Sequence, residues 1–405
     1  MSIYVWNSQI KNVYVWTTPV KEVYVWTTKV RPQYKTFTIS WTEQSNMSSW
    51  WTYSDDATWL TAWSSAFDDF FWYSAVRLNW SWVETAEQKQ ITPWVLDITK
   101  LGTLTSWDNV MIKFPVRWIK MSKSWSVVTL SITNELNKSW YQYYAFNRNG
   151  SIQNNLYIGA YKWYSSSNVI KSWSGKTPTW NQSVDTFRNR CVANGTNYWM
   201  LTIWQRWLIC AYYIMKYWNT NSQLAVWYWY VDSSSARSTW WTDSQTNATY
   251  WTTANKITQS KIFWLEDMWG NFNEFLDGLY RTSSWLILAN TSNNPTSIAN
   301  RPSAAWGDRI SLGTYTTDVY AYLIKWIQGT NTWMFLCNSW SSSAIADGYS
   351  SDYLTYYCDS VSLNKNIFIW CWWYNDKLAS WIFNQWFWRT TTDTNVKCGA
   401  RLVYL

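Results

Sequence analysis

Catalysis needs nucleophiles, acids, bases or metal ligands, and this chain is poor in the residues that most often supply them. Histidine is absent from its 405 residues. That removes Ser-His-Asp and Cys-His catalysis and every His-ligated metal site. Six cysteines stand at 191, 210, 337, 358, 371 and 398. The closest two are thirteen positions apart (371 − 358), so there is no Cys-x-x-Cys redox or metal motif. Cysteines spread singly read as small buried hydrophobes and leave the compartment open. The adjacent carboxylates Asp55-Asp56 and Asp68-Asp69 would point to opposite faces of a strand, which makes poor catalytic pairs. They read as solvated turns. No phosphate-cradling Gly loop is present. The residue types favour recognition over turnover.

The elements that would position such residues can be read from periodicity and turn chemistry. Residues 3–32 repeat every ten: Ile3-Tyr4-Val5-Trp6, Val13-Tyr14-Val15-Trp16 and Val23-Tyr24-Val25-Trp26 align. Each unit fits a β-rich triplet, a turn and a second short strand. Val110–Val116, Ser126–Ile132 and Leu156–Tyr161 read as strands. Ser183 caps a helix that carries Val184, Phe187 and Cys191 on one face and stops at Asn194-Gly195. Thr202-Ile203-Trp204-Gln205 is a capping box. It opens a second helix with an apolar stripe at Ile203, Trp207, Cys210 or Ala211, and Ile214. Trp218 then falls where a left-handed cap, usually Gly, belongs. Residues 232–260 and 290–305 are rich in Ser, Thr and Asn and read as loops.

Charged residues make up 14% of the chain and the net charge is +8, with Lys and Arg scattered rather than clustered. That argues against a nucleic-acid partner. The N-terminus has no basic, apolar leader pattern, so no signal peptide is read. The most apolar segment, Tyr198–Trp218, holds Gln205, Arg206 and Lys216, so no membrane span is expected. The composition is anomalous in one respect. There are 41 Trp and only 12 Gly, where ordinary usage gives roughly 28 Gly. Many Trp occupy positions whose backbone chemistry asks for glycine. The pattern points to a gene in which UGA encodes glycine but is rendered as tryptophan in the sequence as written. Trp16, Trp264, Trp372 and Trp373 are such positions, whereas Trp107, Trp204 and Trp269 read as genuine. The alternative is a truly Trp-rich, sugar-binding or interfacial protein.

The run Trp264-Leu265-Glu266-Asp267-Met268-Trp269-Gly270-Asn271-Phe272-Asn273-Glu274-Phe275 predicts a strand over 271–275, a tight turn at Asp277-Gly278 and a second strand from Leu279. Its order, Asp-Met-x-Gly-Asn-x-x-Glu-aromatic, resembles the central signature of C-type-lectin-fold proteins of the formylglycine-generating-enzyme type. Trp264 stands where that family opens with Gly. Further matches follow in order: Trp227 and Trp229 read as Gly, Trp372-Trp373 as a Gly pair, Ala379-Ser380-Trp381-Ile382-Phe383, and Gly399-Ala400-Arg401-Leu402. Ala400 departs from the family's aromatic.

The resemblance covers roughly residues 107–405 and implies an α+β, C-type-lectin-like domain. The domains would be a 1–34 repeat anchor, a 35–105 Ser/Thr-rich β/loop region, and a 106–405 ligand-binding domain with a variable region over 370–398. It implies structural roles for Asp267, Gly270, Asn271, Glu274, Gly399 and Arg401. It also implies a ligand surface of Tyr374, Asn375, Asp376, Lys377, Asn384, Gln385, Trp386 and Arg389. Those types suit recognition independently, since Tyr and Trp give rigid contact area and Asn, Asp and Lys adaptable hydrogen bonds. The expectation is a non-enzymatic binder of a surface protein or glycan, on a phage tail or as a retroelement-diversified variable protein at a cell surface. No cofactor or metal is expected, and the repeats would attach or oligomerise it. The alternatives are a structural tail component without a specific ligand, or a cysteine-oxidising enzyme using Cys371 and Cys398.

Overall fold

A computed structural model describes short strands within 3–31 and residues 34–43, 48–79, 81, 83–89, 96–219, 222–226, 235–243, 259, 261–281, 286–290, 309–314, 356–358, 366–370, 385–390, 394 and 398–405. It is mixed α and β, rich in strands, with several sheets. Among the described residues, no helix is long and apolar enough to cross a membrane. In the N-terminal repeats Val15 pairs Thr18 and Val25 pairs Thr28, so each of these units folds back on itself. Ile3–Tyr4 pairs in parallel with Val23-Tyr24, which joins the first repeat to the third.

Two antiparallel sheets enclose the main core. One runs, in order, Trp118–Ser124, Val127–Thr133, Thr36–Glu43 and Ser48–Asp55. The other runs Tyr198–Met200, Leu402–Tyr404, Asn155–Gly159, Asn109–Pro115, Ser74–Leu78 and Glu84–Lys89. Residues 35–105 thus supply strands to the same two sheets as residues 109–159. The closing strand Leu402–Tyr404 sits between Asn155–Gly159 and Tyr198–Met200, which locks the end of the chain into the sheet.

The alternating strands sit where their apolar positions place them, at Asn109–Pro115, Val127–Thr133 and Asn155–Gly159. The first long helix spans Val184–Val192, with the Ser183 side chain accepting from the Thr186 amide. The second, Ile203–Tyr217, carries the capping box of Thr202 and Gln205. It is buried on every face, not only along the expected stripe. A helix enclosed all round needs few polar positions, and Gln205, Arg206 and Lys216 are its buried exceptions. One expectation is corrected here. Asp68 is not a solvated turn residue: it lies on the helix Ser65–Phe71, is buried, and ion-pairs with Lys216 at 2.5 Å.

The backbone at the tryptophans is informative. Among the described residues, eight Trp have positive φ, a region that a bulky L-residue enters only under strain. Seven of them sit at positions with a recognised glycine role. Trp72 (φ 53°) and Trp218 (φ 55°) are left-handed helix caps. Trp50 (φ 56°) is the first of two residues facing Trp41 across a register shift, the glycine position of a bulge. Trp63 (φ 71°) and Trp140 (φ 68°) precede the residues that close the Thr61–Ser64 and Lys138–Tyr141 turns, where a type II turn takes Gly. Trp125 (φ 56°) opens the two-residue loop between Ser124 and its partner Val127. Phe263 and Trp264 both have positive φ between the paired Ile262 and Leu265, as in a type I′ hairpin whose second residue is Gly. Trp240 has φ 113°, further still from what side chains tolerate.

Such residues cost about 1–3 kcal/mol each, and eight together rival the whole net stability of a folded domain, about 5–15 kcal/mol. The side chains return little at several of them. Trp125 is 96% exposed and Trp140 83%. The Trp218 indole N–H is buried without an acceptor, a further cost. Trp204 and Trp269, by contrast, are core residues with ordinary φ. So is Trp163, against which Gly399 packs so closely that a Cβ there would lie 1.9 Å from the indole. Trp107 is an exposed turn residue beneath the Lys171 ammonium.

In the chain as written, Trp125→Gly and Trp140→Gly are expected to stabilise by about 1 kcal/mol each, because strain is removed and no packing is lost. Trp204→Gly is expected to destabilise by at least ~3 kcal/mol. Urea midpoints of the three variants check this, and equal losses at all three positions would contradict it.

Candidate functional site

The site is organised by the strand Asn273–Leu276 and the loop that feeds it. Asp267, Gly270 and Asn271 all adopt positive φ, so the chain bends sharply within five residues before entering the strand. Side-chain amides hold that loop in place of a regular ladder. Asn271 Oδ1 accepts from the Arg237 amide at 3.0 Å, and its Nδ2 donates to the Arg237 carbonyl at 3.0 Å. Asp267 Oδ2 accepts from Gln259 at 2.6 Å and from Asn271 at 2.9 Å. Asn and Asp suit these places because they tolerate the left-handed region and bond the backbone locally.

Glu274, fully buried, points into a cluster of cations. Arg401 reaches its Oε1 through Nε and Nη2, both at 2.8 Å. Lys162 Nζ lies 3.4 Å from Oε1, and Arg206 Nη1 lies 3.7 Å from Oε2. Burial raises the Glu274 carboxyl, but Arg401, Lys162 and Arg206 together outweigh it and hold the group below the ordinary glutamate range. Each cation also ties down backbone. Arg401 donates to the Gly159 and Glu266 carbonyls, Lys162 to that of Phe272, and Arg206 to that of Met268. One carboxylate therefore joins the motif strand, the end of Asn155–Gly159, the long helix and the closing segment.

Glu266 and Asp267 behave differently. Burial, then the neighbouring Asp267 carboxylate, pushes Glu266 up to about 8, although Thr242 hydrogen-bonds it. Burial also raises Asp267. Lys261 is lowered to about 8 by burial. At the far end of the strand, Asp277 accepts from Arg188 Nε at 2.8 Å and from its Nη2. Gly278 (φ 84°) makes the expected turn into Leu279–Arg281.

The candidate ligand residues fall into two groups. Tyr374, Asn375, Asp376, Lys377 and Asn384 lie outside the described residues, as do Trp372 and Trp373. Gln385, Trp386 and Arg389 lie on the strand Gln385–Thr390. That strand belongs to the same sheet as the motif strand, in the order Tyr356–Cys358, Gln385–Thr390, Asn366–Trp370, Asn273–Leu276, Cys398–Gly399. Glu274 registers with Trp370, and Trp370 with Gln385. Two strand spacings, about 10 Å, separate Glu274 from Gln385. Trp386 and Arg389 register with Ile369 and Ile367, either side of a bulge. On its other edge the motif strand runs parallel to Cys398-Gly399, with Asn273 Nδ2 3.7 Å from Cys398 Sγ.

The structure thus brings Asp267, Gly270, Asn271, Glu274, Gly399 and Arg401 together, with one strand, Asn366–Trp370, between the motif strand and the strand that carries Gln385, Trp386 and Arg389. Sequence reading missed Lys162, Arg206 and Glu266. The one available signal was Arg206, a permanent charge inside an otherwise apolar helix. Among the described residues no group of His, Cys, Asp and Glu could hold a metal ion. The thiols of Cys191, Cys210 and Cys398 are buried and free of disulfides, and burial pushes that of Cys191 upward. No family model matches the chain, and no curated protein matches it.

Removing one member of a buried ionic cluster strands the others, a loss of about 3–5 kcal/mol. Glu274→Gln and Arg401→Met are each expected to lower stability by about that amount in denaturant titrations. A loss under ~1 kcal/mol would show that the cluster relaxes without its partner. The two glutamates have opposite pH signatures. Glu266, raised from 4.5 to about 8, keeps a proton in the folded state that the unfolded chain releases, so stability falls as pH rises across that window. Glu274, held low, adds stability above 4.5 that is lost as pH falls through its folded value. Thermal midpoints against pH should lose the first slope in Glu266→Gln and keep the second.

Proposed function

We propose that this protein is a non-enzymatic ligand- or receptor-binding protein built on a C-type-lectin-like domain of the formylglycine-generating-enzyme type. Its recognition surface is the stretch 374–389, and the N-terminal repeats attach or oligomerise it. It serves on a phage tail or as the variable protein of a diversity-generating retroelement, facing a surface protein or glycan of a host or neighbouring cell. The observation that carries this reading is the position of Glu274. The residue that locks the core lies two strands from Gln385, so the recognition strand is held by rigid structure. A binding surface needs such support to keep adaptable side chains in register.

The same reading has glycine at the bends. Eight strained positions, seven of them in a known glycine role, support a gene in which UGA specifies Gly at 50, 63, 72, 125, 140, 218, 240 and 264. With glycine restored at 264, the motif regains the residue with which the family opens. Two independent tests apply. Codons UGG at these eight positions, or peptide masses showing Trp in protein from its natural source, would remove the recoding. For binding, Trp386→Ala with Arg389→Ala should abolish attachment to the natural target cell while leaving the unfolding midpoint within about 0.5 kcal/mol of the parent. Unchanged attachment would favour the structural tail component instead.

A further inference from the structure

A second place on the molecule has the makings of a ligand site. A cleft of about 540 Å³ opens between the helix Ser65–Phe71, the strand Thr36–Glu43 and the connection after Asn109–Pro115. That volume lies within the range of small-molecule sites. Phe37 and Phe70, stacked with centroids 4.1 Å apart, give it an apolar wall. Lys35, Asp56, Asp69 and Asn134 bring polar groups to it.

The informative residue is Arg117, which lines the cleft while 91% buried (9% exposed). Its guanidinium donates from Nε and Nη2 to the Phe70 carbonyl, at the end of the helix, and from Nη1 to the Val116 carbonyl. A guanidinium has five N–H donors, so one on each terminal nitrogen is left over. No carboxylate pairs with it among the described residues. The buried acidic residue of that helix, Asp68, is taken by Lys216 and Tyr73. Burial lowers Arg117, with no carboxylate opposing. Lys35 adds a second cation without an ion-pair partner among the described residues. Two spare N–H groups on a buried, anion-free guanidinium are the fork that a carboxylate fills.

We propose that this cleft binds a carboxylated sugar, with the carboxylate on Arg117 and Lys35, the ring against Phe37 and Phe70, and hydroxyls on Asp69 and Asn134. Aspartate and asparagine are suitable partners for hydroxyl groups, while a plain fatty acid would leave them unmatched. Trp72 also lines the cleft and has left-handed backbone, so glycine there removes one lining side chain and leaves Phe37 and Phe70 in place.

Titration calorimetry on the whole chain tests the site with glucuronate and galacturonate, against glucose, acetate and free glutamate. The expected result is saturable uronate binding, weakened about tenfold by Lys35→Glu and lost in Arg117→Gln, with weaker or no binding of the other three. Trp72→Gly should keep it. Because Arg117 also caps a helix, the exposed Lys35→Glu variant, checked for an unchanged unfolding midpoint, carries the result if Arg117→Gln unfolds. No uronate binding, equal binding of glucose, or preference for glutamate would each overturn the proposal. None of these outcomes bears on the Trp386 and Arg389 test.

Discussion

The structure depends on a carboxylate placed where water cannot reach it. A buried Glu274 is tolerable only while Arg401, Lys162 and Arg206 surround it, and those cations are tolerable only while Glu274 is ionised. Each cation is anchored on a different part of the chain. Their convergence therefore forces the end of the chain, the long helix and the motif loop into one arrangement. A hydrophobic contact could slide or repack, but a charge cluster with fixed donors has one geometry. This explains why a domain of short strands and long connections can hold a definite centre.

The second constraint is the backbone. The loop before Glu274 must bend sharply, and it does so with Asp267, Gly270 and Asn271 in left-handed conformations. Asp, Gly and Asn are the types that accept this at least cost. The eight tryptophans in the same region of backbone space have no such excuse. Their number among the described residues, and the variety of turns, caps and bulges they occupy, set them apart from the Asn, Asp and Gly that take most of the other left-handed positions. Compensation by packing is not a general answer, since Trp125 and Trp140 project into solvent while Trp264 is enclosed.

The two sites differ in how they are supported. The strand Gln385–Thr390 is tied to the locked centre through Asn366–Trp370. The cleft beside Arg117 is built instead on the strand Thr36–Glu43 and the helix Ser65–Phe71, where Asp68 and Lys216 form a separate buried pair.

Much of the local structure was legible in the residues alone. Alternation placed the strands near 110, 127 and 156. Ser183 and the Thr202–Gln205 box located two helix starts, and Asp277-Gly278 located the turn between Asn273–Leu276 and Leu279–Arg281. These are short-range signals, carried by side chains that bond their own backbone. The misfit of tryptophan at 218 and 264 was legible for the same reason, since cap and turn chemistry is local. What sequence could not show was pairing across distance. Nothing near Asp68 announces Lys216, nothing near Glu274 announces Lys162, and the joining of 36–43 to 127–133 has no local mark. Sequence by itself determined where the chain can bend and which segments extend or coil. Only the tertiary structure decided which charges meet, because the energy of a buried ion depends on every group around it, however far away along the chain.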